Sequence, residues 1–236
     1  MQTIQSNLEN IHQQIQDSER KFGRPIHSVQ LLAVSKTKPI QAVVNACEAG
    51  QRQFGENYVQ EGVEKIQYFQ EHHNDLDIKW HFIGPIQSNK TRPISENFDW
   101  VHSIDRAKVA QRLSDQRPDN KKPIQVLIQV NTSGEASKSG ISTQQALELA
   151  TVIEGLPNLT LRGLMSIPAN VSSYDEQLHA FNQLKDLFEQ IKSQYPQVDT
   201  LSMGMSGDMQ AAIEAGSTMV RIGTAIFGAR DYSNAK

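Results

Sequence analysis

Between residues 31 and 222 the chain alternates short apolar runs with stretches of helical periodicity, and it does so eight times. The pattern predicts strands at Leu31–Ser35, Gln53–Gly55, Trp80–Ile83, Trp100–Ser103, Ile124–Val130, Leu159–Leu164, Thr200–Ser202 and Met219–Ile222. Their starts lie about 27 residues apart, close to the length of one strand–helix unit. The intervening helices carry recognisable ends. Pro39 suits a first helical turn, Ile40, Val43, Val44 and Cys47 form a stripe, and Gly50 suits a left-handed stop. Ser173 and Glu176 have capping-box spacing ahead of the stripe Leu178, Phe181, Leu184, Phe188 and Ile191. Ser206 and Asp208 precede a short helix that stops at Gly216.

Residues 2–22 add an amphipathic helix in front, with Ile4, Leu8, Ile11 and Ile15 on one face. Eight tightly spaced strand–helix units predict an α/β fold, a single (β/α)8 TIM-type barrel with an extra N-terminal helix. An open doubly wound sheet is the alternative that periodicity leaves standing. No Pro-, Gly- or Ser-rich linker interrupts the chain, so residues 1–236 are expected to form one domain. Apolar residues make up 38% of the 236, enough for a sizeable core. A net charge of −3 argues against nucleic-acid binding driven by bulk electrostatics. Cys47 is the only cysteine, which excludes an internal disulfide framework and a four-cysteine zinc site. Neither a signal peptide nor the ~20 apolar residues of a membrane span is present, and the expected location is cytoplasmic.

In barrels of this kind the chemistry sits where the strands end. The first strand ends Val34-Ser-Lys-Thr-Lys-Pro39, which places Lys36 at the barrel mouth. Partial desolvation there lowers a lysine pKa and frees the amine for a Schiff base; the plain reading is a solvated loop lysine. After the seventh strand comes Leu201-Ser-Met-Gly-Met-Ser-Gly-Asp208, and after the eighth Val220-Arg-Ile-Gly-Thr-Ala-Ile-Phe-Gly228. Small, hydroxyl-bearing loops running into helix starts make a phosphate cup, or else two tight turns with ordinary caps. Arg221 lies within an apolar strand, and an inward guanidinium requires a specific polar partner. The seven histidines show no metal-ligand spacing, so no metal is expected, and His81 reads as a satisfied core histidine.

Taken in order, several stretches resemble the pyridoxal phosphate homeostasis proteins, single-domain relatives of the alanine racemase N-terminal barrel. They are Leu32-Ala-Val-Ser-Lys-Thr-Lys-Pro39, Phe54-Gly-Glu-Asn-Tyr58, Trp80-His-Phe-Ile-Gly-Pro-Ile-Gln-Ser-Asn-Lys90, Val130-Asn-Thr, Gly163-Leu-Met-Ser166, and the two terminal loops quoted above. The resemblance implies that Lys36 carries pyridoxal 5'-phosphate as a Schiff base. It implies that Ser206, Gly223 and Thr224 hold the phosphate and that Arg221 faces the pyridine nitrogen. Asn57, Met165, Ser202 and Met203 would line the ring. Lys138 resembles a family lysine considered for cofactor transfer; read alone it is a solvated loop lysine.

The function so implied is buffering, protection or delivery of the cofactor by a cytoplasmic monomer, with apo-forms of pyridoxal phosphate enzymes as recipients. An amino-acid racemase on the same barrel is the rival, and a cofactor-free Schiff-base aldolase is a third reading that leaves Arg221 without a role. Two features favour a non-enzyme. Only 13 residues follow Gly223, leaving no room for the β-domain that supplies a second base in the racemases. A guanidinium can only donate to the pyridine nitrogen, which favours the unprotonated ring, a weaker electron sink.

Overall fold

The computed structural model describes residues 3–132, 139–168, 171 and 173–229. Its eight strands are β1 (Gln30–Val34), β2 (Gln53–Glu56), β3 (Lys79–Phe82), β4 (Trp100–Ile104), β5 (Ile124–Gln129), β6 (Leu159–Met165), β7 (Thr200–Ser202) and β8 (Met219–Ile222). Each pairs in parallel with the next, and β8 closes on β1 through Leu31↔Val220 and Leu32↔Arg221. Closure rules out the open sheet. The strands are covered by α2 (Ile40–Glu48), α3 (Val59–His72), α4 (Thr91–Asn97), α5 (Ala107–Asp115), α6 (Thr143–Glu154), α7 (Tyr174–Gln194), α8 (Met209–Ala215) and α9 (Thr224–Phe227).

Alternation along the strands sorts side chains between two cores. Phe54 and Trp80 point outward and pack with each other, and Trp80 also packs with Phe69 of α3. Gly55 points inward, where an added Cβ would meet Leu32 and Ile83. The helix after β8, α9, has only four residues and cannot cover the β8–β1 seam. The N-terminal helix α1 (Ile4–Lys21) does this instead, lying against α2, α8 and α9. Leu8, Ile11 and Ile15 are its buried stripe, each contributing about 1.5–3 kcal/mol by burial. Buried Glu19 ties its far end to the entry of β1 by accepting the backbone N–H of His27 and Val29.

Two helix starts differ from expectation. Pro39 is the cap residue of α2, one position ahead of the helix. Ser173 caps α7 by position, but its side chain makes no capping bond, so that box does not form. Capping boxes form at Thr3 with Ser6 and at Ser142 with Gln145. Gly50 and Gly216 both sit at positive φ just past their helices, as their positions predict.

Candidate functional site

The strand ends surround a cavity of about 640 Å³. Lys36 enters it from the turn after β1, Asn57 from the turn after β2, and Ile83 and Pro85 from the turn after β3. Gln129 closes the β5 side, Ile167 and Pro168 the β6 side, and Met205, Ser206 and Gly207 the β7 side. Arg221 rises from β8 itself, with Gly223 and Thr224 beyond it. The wall therefore brings together Lys36, Asn57, Ser206, Arg221, Gly223 and Thr224 from four separate strand ends.

Three other expected residues stand elsewhere. Met165 and Met203 are fully buried and outside the cavity wall, and Ser202 bonds to Arg221 rather than lining the wall. Lys138 lies outside the described residues. Gln129, Ile167 and Met205 are wall residues that motif reading passed over. Gln129 ends β5 and Ile167 follows β6, so reading every strand end finds them, whereas Met205 lies within the β7 loop already read and carries no polar signal of its own.

Arg221 is held rigidly although only 4% exposed. Its Nη1 donates to Ser202 Oγ at 2.8 Å and its Nη2 to the Ser166 carbonyl at 3.0 Å. Burial pushes its pKa down to about 10, against a smaller opposing pull from Asp208, so it stays charged at neutral pH. The inward arginine thus has the specific partners that an apolar strand requires of it. Below it the polar contacts continue. Ser202 Oγ is 3.1 Å from His102 Nδ1, and His102 Nε2 is 2.9 Å from His81 Nδ1. The His81 ring stacks on Trp100 at 5.2 Å and 12°. Burial holds both imidazoles neutral, with His81 pushed down to about 3. His81 is thus a core histidine, though only half satisfied, since Nε2 has no partner among the described residues.

Asn57 is placed by a close approach of two loops. A Cβ on Gly84 would fall 2.2 Å from the Asn57 carbonyl oxygen, so only glycine lets the turn after β3 lie against the turn after β2. On the β7–β8 side, Gly223 and Thr224 open α9, whose first backbone N–H groups have no intrahelical acceptor. Asp208 Oδ1 accepts the Met205 N–H and fixes the loop that presents Ser206. The result is one cavity with an amine, a fixed guanidinium and a rim of hydroxyl and glycine backbone donors. Among the described residues, no His, Cys, Asp and Glu cluster is placed to hold a metal, and no helix is long and apolar enough to cross a membrane.

Comparison with known proteins narrows what that combination serves. The family model for the alanine racemase N-terminal domain matches residues 6–231. A Vibrio cholerae protein named pyridoxal phosphate homeostasis protein is 69% identical over 233 residues, covering 99% of each chain. The Escherichia coli K12 protein of the same name is 56% identical, again over 99% of each. Among solved structures, PipY of Synechococcus elongatus with PLP bound superposes with a TM-score of 0.82 at 33% identity, covering 96% of this chain and 100% of that one.

Proposed function

Since this chain belongs to the alanine racemase N-terminal domain family and, within it, to the pyridoxal phosphate homeostasis proteins, we propose that it holds pyridoxal phosphate in the barrel mouth and buffers or delivers it. The observation that carries this reading is the spacing of three unlike groups around one cavity: the Lys36 amine, the Arg221 guanidinium and the Ser206–Thr224 rim. Their chemistry fits the cofactor group by group. An amine suits an aldehyde, a fixed donor suits a ring nitrogen, and hydroxyl and backbone N–H donors suit a phosphate. When bound, the cofactor would supply an aldehyde, and Lys36 would hold it through its amine.

The chain's own residues divide the remaining work. Ser206, Gly223 and Thr224 would receive the phosphate, and Arg221, with one N–H held by Ser202 and another by the Ser166 carbonyl, would present a further donor to the ring nitrogen. Asn57 borders the ring directly. Ser202 acts one step back by orienting Arg221, and Met165 and Met203, buried outside the wall, have no direct part. A cytoplasmic monomer is the proposed setting, with apo-enzymes as the proposed recipients. A cofactor-free aldolase would leave the Arg221 seat, with its two buried bonds, unexplained.

Freshly purified protein should absorb in the visible, and borohydride reduction followed by peptide mapping should place the pyridoxyl group on Lys36. A label on Lys38 or Lys138, or no label at all, would reject the attachment. The phosphate rim has its own test. Charge-assisted hydrogen bonds contribute roughly 1.5–3 kcal/mol each, so Thr224→Ala or Ser206→Ala should weaken pyridoxal phosphate binding about tenfold or more. Unphosphorylated pyridoxal should be affected far less; equal losses for both ligands would remove the rim from the model of binding.

A further inference from the structure

Lys36 is flanked by two residues whose backbone is tied to one buried cation. Lys65 of α3 does not touch the cavity, and its side chain is 3% exposed. Its Nζ donates to the Ser35 carbonyl at 2.7 Å, to Glu56 Oε1 at 2.8 Å and to Glu61 Oε1 at 2.7 Å. The Ser35 hydroxyl donates to the same Glu56 oxygen at 2.5 Å. On the other side of Lys36, the Thr37 N–H donates to Glu61 Oε1 at 2.6 Å. Lys65 therefore grips the residue before Lys36 directly and the residue after it through Glu61.

The grip coincides with backbone strain. Thr37 sits at φ +62°, a region that a β-branched residue enters only when its surroundings impose it. A bond from a carboxylate to the Thr37 N–H is such an imposition, and the carboxylate is itself held by a buried ammonium. The left-handed turn directs the chain from β1 toward α2 while leaving Lys36 at the cavity wall. Relaxation of Thr37 to an ordinary conformation would swing the peptide that carries Lys36.

We propose that Lys65, acting through Glu56 and Glu61, is a positioning residue that holds the Ser35–Lys36–Thr37 turn in its strained form and so presents the Lys36 amine. The inference rests on Lys36 as the point of cofactor attachment, and it reaches residues outside the binding wall. Lys65 and the two glutamates touch no reacting atom; their effect passes through the backbone.

Two readouts test it. In cofactor-free protein, the exposed Thr37 amide should exchange slowly with solvent deuterium in wild type. Lys65→Met and Glu61→Ala should speed that exchange about tenfold, the scale on which one left-handed residue is released. In the second readout, the same variants should slow Schiff-base formation with pyridoxal phosphate about tenfold, while binding of pyridoxamine phosphate, which has no aldehyde, changes less than about twofold. Glu61→Gln keeps an acceptor for Thr37 and should stay near wild type. Thr37→Gly placed on Glu61→Ala should restore most of the rate, because glycine enters the left-handed region without strain. Unchanged Thr37 exchange in both clamp variants overturns the proposal, as does an equal loss for both ligands. Should wild type trap the pyridoxyl group away from Lys36, the attachment falls, and Thr37 exchange still judges the clamp.

Discussion

Loaded with pyridoxal phosphate, the protein is expected to racemise L-alanine or L-serine no faster than about 10⁻³ s⁻¹, against roughly 1–10³ s⁻¹ for working enzymes. Racemisation requires proton transfer on both faces of the substrate carbon, each from a group within hydrogen-bond reach. Among the described residues, the cavity wall holds two titratable side chains, Lys36 and Arg221. Lys36 can serve one face. Arg221 keeps its proton at neutral pH even with its pKa at about 10, so it cannot act as the second base. A missing general acid or base is worth roughly 10²–10⁴ in rate, and that sets the expected gap. With Arg221 at the pyridine nitrogen, as proposed, the ring would add to it, because such a donor favours the unprotonated, weaker electron sink. Chiral chromatography of amino acids incubated in deuterated buffer reads both inversion and isotope uptake. Inversion at about 1 s⁻¹, abolished by Lys36→Ala, would make the protein an enzyme.

Gly163→Ala should be the most damaging small substitution in the barrel. A Cβ there would stand 1.8 Å from the Thr200 carbonyl oxygen and 2.8 Å from its carbon, and Gly163 has φ +151°. Gly163 and Thr200 are also register partners between β6 and β7. Both contacts are to backbone, so no rotamer change relieves them. The strands must part. Overpacking and backbone strain together should cost about 3 kcal/mol or more. For a chain of this size that corresponds to a fall in Tm of about 6–12 °C. Gly207→Ala, with nothing within 4 Å, is the control and should leave Tm unchanged. A normal Tm for Gly163→Ala would mean that β6 and β7 do not meet as closely as described.

The comparison of sequence with structure divides along the range of the interactions. Strand positions were legible because each apolar run is local and bounded, and all eight lie where the pattern predicts to within a residue or two. Closure was predicted from the number and spacing of the units, not from any local trace, because the pairing of Leu32 with Arg221 joins residues 189 apart. The loop ends of β1, β7 and β8 announced the site through lysine, hydroxyl and glycine residues. The orientation of Met165 could not be counted from the start of β6, because the β5–β6 register shifts between Val126 and Leu127. Parallel strands buried on both faces also lack the polar alternation that would reveal which methionine points to the mouth. Ser173 failed as a cap for a similar reason: spacing permits a capping bond without requiring one.

The row of polar contacts beneath Arg221 has a direction. Arg221 only donates, so Ser202 Oγ accepts from it, and its one O–H is left free to turn toward His102 Nδ1. A neutral imidazole that accepts at one nitrogen donates from the other. With the Ser202 hydroxyl so turned, the His102 proton sits on Nε2, aimed at His81 Nδ1, and the His81 proton sits on its own Nε2. One hydroxyl rotor thus couples a permanent charge at the mouth to the tautomer of two rings in mid-barrel, and in this sense of the row every donor is poled away from the cavity. A change at Ser202 would thus erase more than a hydroxyl: it would release both histidines to choose their tautomers independently of the ligand end.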